Sequence, residues 1–145
     1  MTPLREMIAT HPHVRGNIND PLATAAEGAA ICAAICRSCA DACLGEDSVA
    51  DLIQCIRLDL DCADVCQAFS NVALRRAGGD VPIIEAMAQV CEAACRRCAD
   101  ECRRHGSRHE HCAICATACE MCADACREAR KGLDDGHHPA PAGSH

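Results

Sequence analysis

Apolar residues recur every three or four positions through four stretches of this chain, and each stretch opens on a Ser or Asp and closes on glycine. A period near 3.6 marks one face of a helix, so four amphipathic helices are expected. Asp20-Pro21 opens the first, which closes at Gly45. Ser48, with Asp51 three residues on, has the form of a capping box and opens the second, expected to run to Gly78-Gly79. Asp80 opens a third that stops at Gly106, with Pro82 inside its first turn, where a missing N–H does no harm. Ser107 with Glu110 caps a fourth that reaches Gly132. Ala, Leu, Glu and Arg dominate between these marks, so propensity agrees with pattern. The connections are short, which makes neighbouring helices antiparallel. The expected fold class is therefore all-α, an antiparallel up-down-up-down four-helix bundle over residues 20–132. Within an N-terminal segment, 1–19, residues 4–10 are expected to add a short helix. Residues 133–145 read as a disordered, solvated tail that carries His137, His138 and His145.

The residues on the inner stripes are unusual. The chain has sixteen cysteines, one Phe, and no Trp or Tyr, so something other than aromatic packing fills the centre. The cysteines follow an internal repeat, C-x3-C-x2-C-A-D-x-C, seen as CAAICRSCADAC from Cys32, CEAACRRCADEC from Cys91 and CATACEMCADAC from Cys115. The second helix carries it as CIRLDLDCADVC from Cys55, with Asp59 in place of the second cysteine, and Cys112 adds a thiol ahead of the last copy. The order of the copies suggests a duplicated two-helix hairpin.

Steps of four, three and four residues return to one side of a helix at about 100° per residue, which puts the thiols on the seam positions of a bundle. Cysteines four apart have Cβ atoms roughly 5–6 Å apart, so both sulfurs can turn onto one ion. Seven such pairs occur: 32/36, 39/43, 62/66, 91/95, 98/102, 115/119 and 122/126. Soft sulfur selects a thiophilic metal, and charge selects a monovalent one. Zinc with four thiolates would carry a net charge of −2 at each buried site, whereas Cu(I) can displace one thiol proton per ion and leave the core neutral. If each sulfur bridges two ions and each ion uses two sulfurs, the sixteen thiolates hold on the order of 16 ions, a capacity suited to storage. The plain alternative is that cysteine serves here as a small apolar packing residue.

Threading the helices up and down brings Cys43, Cys55, Cys102 and Cys112 to one end, with His105, His109 and His111 in the adjoining turn. That end is the expected metal entrance, with imidazole as an intermediate ligand. Ala25, Phe69, Ala73, Ile84, Met87 and Ala129 hold seam positions at the other end and form an expected apolar plug; Met87 could alternatively ligate through its thioether. Asp59 faces the seam, either as an extra oxygen ligand or as a solvated residue beside a gap. The acidic residues of the C-A-D triplets, Asp41, Asp64, Asp100 and Asp124, point outward by phase.

A net charge of −7 with scattered basic residues provides no basic stripe, so a nucleic-acid partner is not expected. Residues 1–20 contain no signal-peptide core or twin-arginine pair, and no stretch is expected to span a membrane free of charges. The expected location is a reducing cytoplasm, where clustered cysteines mean metal more often than crosslinks. No nucleophile stands beside a base, so no enzyme is expected. The alternative functions are a disulfide-stapled helical interaction protein and a zinc or cadmium thiolate buffer.

The repeated C-x3-C and C-A-D-x-C units from Cys32 to Cys126 resemble those of the bacterial copper storage proteins. Histidines at the mouth and the missing export signal resemble the cytosolic branch of that family. The resemblance implies a four-helix bundle that assembles as a homotetramer and fills its core with Cu(I). It also implies the ligands Cys32, Cys36, Cys39, Cys43, Cys55, Cys62, Cys66, Cys91, Cys95, Cys98, Cys102, Cys112, Cys115, Cys119, Cys122 and Cys126. Asp59 departs from the repeat.

Overall fold

The computed structural model describes residues 2–134, whose regular structure is all helical. In chain order the elements are α1 (Pro3–Ala9), α2 (Asp20–Leu44), a 3₁₀ turn (Val49–Leu52), α3 (Ile53–Ala73), α4 (Val81–His105) and α5 (Glu110–Asp134). Helices α2 to α5 pack in a ring, α2 on α3, α3 on α4, α4 on α5 and α5 on α2, as the up-down-up-down threading requires. Helix α1 is the expected short extra helix; it docks outside the ring on α2.

The punctuation predicted four helices, and packing moved several of their ends. Asn19, not Asp20, caps α2; it sits in the left-handed region at φ 54°, and its side chain accepts from Leu22 N at 3.4 Å. Asp80 caps α4 as expected, accepting from Ile83 N at 3.2 Å. Ser48 makes no capping bond; a 3₁₀ turn intervenes and α3 begins at Ile53. The Ser48 hydroxyl pairs instead with His109 Nε2 at 3.3 Å. Helix α3 also ends at Ala73, ahead of Gly78-Gly79. There the buried Arg76 donates to Ala73 O at 3.2 Å and to Ile18 O at 2.7 Å, tying the last turn of α3 to the N-terminal segment. A cation at a helix C-terminus satisfies carbonyls that have no partner within the helix. Ser107 lies in the turn before α5. The turn runs so close to α5 that a Cβ on Gly106 would meet Ala113 Cβ at 3.3 Å. At the far end Gly132 does not stop α5, because burying Leu133 continues the helix to Asp134 and tertiary packing outweighs the glycine. Residues 133 and 134 thus belong to α5, not to a tail; the expected tail from 135 onward, with its three histidines, lies outside the described residues.

Two apolar clusters hold the molecule together. The smaller joins Ile8, Val14, Ile18 and Ala23 under α1. The larger is the bundle core, where Ala63, Ala99 and Ala123 of the C-A-D triplets are buried beside the cysteines; Ala40 of the first triplet is buried as well. A methyl group at that contact lets neighbouring helices approach closely. Phe69, Ile84, Ala25, Ala73 and Ala129 are buried at the end remote from the 44–53 turn, as the plug reading expects, and Leu22, Ala88 and Leu133 join them. Met87 does not; it is half-buried against the cluster's edge, with Ala88 on the seam in its place. The four C-A-D aspartates are exposed, and Asp124 pairs with Arg96 at 2.7 Å.

By length and hydropathy alone α2 qualifies as a membrane-crossing segment, against the expectation that no stretch would: one 18-residue window averages 1.3 on the hydropathy index. Half of that window is buried inside the bundle, as in the core helix of a water-soluble protein.

Candidate metal centre

All sixteen cysteines are free, and all sixteen are buried. They form one continuous column along the bundle axis. At the mouth, Cys43 lies 3.9 Å from Cys112 and Cys55 lies 3.5 Å from Cys102. Inward from there, groups of four ligand atoms lie within 4.8 Å of one another: Cys39, Asp59, Cys102 and Cys115; then Cys36, Cys98, Cys115 and Cys119; then Cys32, Cys36, Cys62 and Cys119; then Cys32, Cys66, Cys95 and Cys122. Cys91, 3.6 Å from Cys66, and Cys126, beside Cys91 and Cys122, end the column against the plug.

Thiols meet both within single helices and between them. Intrahelical partners are 3.9 Å apart at 32/36, 3.7 Å at 62/66 and 3.9 Å at 98/102, so the predicted clips are sterically ready. Contacts between helices are as short or shorter, at 3.6 Å for Cys36–Cys119 and 3.5 Å for Cys66–Cys95, and each of these four groups draws on at least three helices. Cys32, Cys36, Cys115 and Cys119 each belong to two adjoining groups, which is the placement a bridging thiolate needs. Metal–thiolate bonds of about 2.3 Å place the sulfurs of a trigonal or tetrahedral site about 3.8–4.0 Å apart, close to the separations found.

Asp59 is fully buried, which removes the reading of a solvated residue beside a gap. Its Oδ1 accepts from the thiols of Cys98 at 3.0 Å, Cys115 at 3.3 Å and Cys102 at 3.4 Å, while Oδ2 has no hydrogen-bond partner. Burial and then the neighbouring Cys115 push its carboxyl up to about 8. Cys43 is likewise pushed up to about 11, first by burial. A low-dielectric interior without a cation beside them disfavours the charged form of both groups, so Asp59 and Cys43 hold their protons in the metal-free column.

The three mouth histidines have different roles. His111 Nδ1 faces the column, 3.5 Å from Cys39 Sγ and 3.6 Å from Cys112 Sγ, and it joins Cys39, Cys43 and Cys112 as a candidate metal-holding group. His109 stacks on His111 with ring centroids 5.6 Å apart. His105 is held apart on its own helix, with Nε2 on Glu101 at 2.8 Å and Nδ1 buried without a hydrogen-bond partner. The mouth also contains a residue that sequence reasoning missed. Glu46 Oε2 sits 2.9 Å from His111 Nε2 and 3.1 Å from His109 Nδ1, and the bond to His111 holds the Glu46 carboxyl below its usual range. A carboxylate on the outer nitrogen fixes the tautomer of a ligating histidine, leaving the His111 Nδ1 lone pair facing the thiols. No local signal marks Glu46, which lies 65 positions from His111 in the chain.

A helical bundle whose axis is a column of free thiols, with an imidazole at one end and an apolar plug at the other, defines a class: a thiol-cored bundle built to take up soft metal ions. Comparison with known proteins narrows that class. Residues 18–131 match the family model of the copper storage proteins, and the chain belongs to that family. A structure of copper loading, with five coppers, to a cytosolic copper storage protein from Streptomyces lividans is 48% identical, with a TM-score of 0.78 over 79% of this chain and 96% of that one. The Streptomyces lividans copper storage protein Ccsp loaded with 10 copper equivalents is 43% identical, with a TM-score of 0.84 over 90% of this chain and 99% of that one. An uncharacterised cysteine-rich protein of Bacillus subtilis (strain 168), YhjQ, is 37% identical over 81 residues, covering 56% of this chain and 69% of that protein.

Proposed function

We propose that this chain stores copper in the cytoplasm as Cu(I), with all sixteen cysteines as ligands. The reading rests chiefly on the unbroken column, in which neighbouring four-atom groups share sulfurs. Each Cu(I) that enters replaces one thiol proton, so the buried charge stays constant as the column fills. A divalent ion held by four thiolates leaves a net −2 in a core with no cation beside it, which disfavours the zinc or cadmium buffer. With every thiolate bridging, capacity is on the order of 16 ions per chain.

His111, oriented by Glu46, receives incoming metal and passes it to Cys39 and Cys112, with His109 stacked behind it. Asp59 provides an oxygen where the repeat otherwise has sulfur; its free Oδ2 and three thiol neighbours suit a weak ligand to a nearby ion. His105 contributes to the entrance through its turn. The histidines hold metal in transit, so they set the loading rate and not the capacity. The chain assembles as a homo-oligomer, a tetramer by kinship, and exposed Ile53, Leu60, Ile83 and Val90 supply apolar surface for it. It acts by binding, without a catalytic step and without a nucleic-acid or membrane partner.

Anaerobic titration of the reduced, metal-free protein with Cu(I), against a chromophoric chelator, tests this. The expected endpoint is more than ten equivalents per chain with the helical far-UV spectrum already present before metal is added. Saturation at one or two equivalents, or a thiol count near zero in protein purified without reductant, would favour the stapled interaction protein.

A further inference from the structure

Two grooves on the flanks of the ring differ in what lines them. The groove between α3 and α4 is lined by Leu58, Val90, Ala93, Ala94 and the charged Asp61 and Arg97, with no cysteine. The groove between α2 and α5, about 350 Å³, reaches Cys32 and Cys122 of the sulfur column itself. Both thiols line the groove although they lie well inside from the histidine mouth. They belong to the group of four, with Cys66 and Cys95, that draws one cysteine from each helix of the bundle.

The opening has a local cause. Gly28 faces the groove, and a Cβ built there would meet nothing within 4 Å. A glycine inside a helix sacrifices roughly 1 kcal/mol relative to alanine, and here it leaves open the space beside Cys32. On the opposite wall Ala118 is small and Met121 stands at the rim, 68% exposed, its thioether the soft donor outermost on this flank. Soft donors therefore occur both at the rim and on the floor of one passage, away from the imidazoles.

We propose that the α2–α5 groove is a second, lateral exchange port for Cu(I) carried by a low-molecular-weight thiol. It rests on the storage reading above. Met121 holds the arriving complex at the rim, and Cys122 or Cys32 takes the metal. A new Cys–S–Cu bond forms as the carrier's S–Cu bond breaks, and the proton of the cysteine thiol leaves on the carrier sulfur as RSH. Copper remains Cu(I) throughout, and the reverse exchange with free RSH unloads the deep half of the column without emptying the mouth.

The test uses the full chain, reduced and metal-free, with Cu(I)–glutathione as the probe and near-ultraviolet thiolate–copper absorbance as the readout, in a His111→Ala background that handicaps the mouth. Gly28→Leu, which fills the groove, should slow loading about tenfold, an access effect. Met121→Leu, which keeps bulk and removes sulfur, should slow it about threefold, a ligand effect. Final capacity and helicity should stay at the parent level. Loading as fast as in the His111→Ala parent for Met121→Leu, whose fold is not at risk, together with the same result for Gly28→Leu, would overturn the port. So would light scattering showing that Gly28→Leu changes the oligomeric state, because the groove would then be an interface between copies. Capacity in the same titration keeps the two readings apart: unchanged rates at full capacity sink only the port, whereas one or two equivalents in the parent sink storage itself.

Discussion

The two ends of the bundle put different chemistry on the same seam positions. At the plug end Phe69, Ile84, Leu22 and Leu133 are buried hydrocarbon, reinforced by the Ser70 hydroxyl on Ala26 O at 2.8 Å and by Arg76 on Ile18 O. Along the rest of the axis the seam is thiol against thiol, with one carboxyl. Hydrocarbon can only pack, whereas a thiol can pack while protonated and coordinate once its proton is displaced. The plug thus anchors a fold that exists before metal arrives, and the column is free to change its chemistry inside it.

If that division is right, substitutions at the two ends should separate stability from capacity. The largest effect is expected at Phe69→Ala, which leaves a cavity in the buried core at the plug end and should lower stability by about 4 kcal/mol while folded protein still takes its full copper load. Denaturant unfolding of the metal-free protein, paired with a Cu(I) titration, reads both.

Asp59 comes next. A carboxyl at about 8 when folded, against an ordinary 3.8, keeps its proton in the native state after the unfolded chain has lost it. The unfolded state then binds fewer protons, so metal-free stability should fall as pH rises from about 4 to about 8, by roughly 3 kcal/mol between pH 5 and 7.5. Asp59→Asn should flatten that slope. A slope unchanged in the variant would show that the carboxyl is not the group responsible.

A thiol in mid-column should show the opposite balance to Phe69. Cys119→Ala removes a sulfur shared by two groups, so copper capacity should drop by at least one equivalent while stability falls only about 1–2 kcal/mol. The smallest effect is expected at the rim of the mouth. Glu46→Gln should slow loading about tenfold, with capacity and unfolding midpoint unaltered, because it loosens the orientation of His111 without removing a ligand.

How much of this was legible beforehand depends on the range of the interaction concerned. The spacing of four, three and four residues places each helix's thiols on one stripe, and that is a local property of helical geometry; so are the Asp80 cap and the outward phase of the C-A-D aspartates. Met87 was misplaced for a related reason, since the seam shifts to Ala88 as the helices settle against each other and a period of 3.6 does not fix one face over many turns. Glu46 and the groove beside Gly28 left no trace in any pattern, because each depends on two segments meeting in space.

By itself the sequence determined the all-helical architecture, the stripe of sulfur on each helix and the apolar end, because helix periodicity, capping and short connections act over a few residues. Only the tertiary structure decided which sulfurs stand together, that Asp59 is sealed among them, that His111 rather than His105 faces the thiols, and where Gly132 and Gly78 fail to end their helices. Those outcomes depend on how helices far apart in the chain share one interior. There burial and close packing outweigh the local preferences that a linear pattern can express.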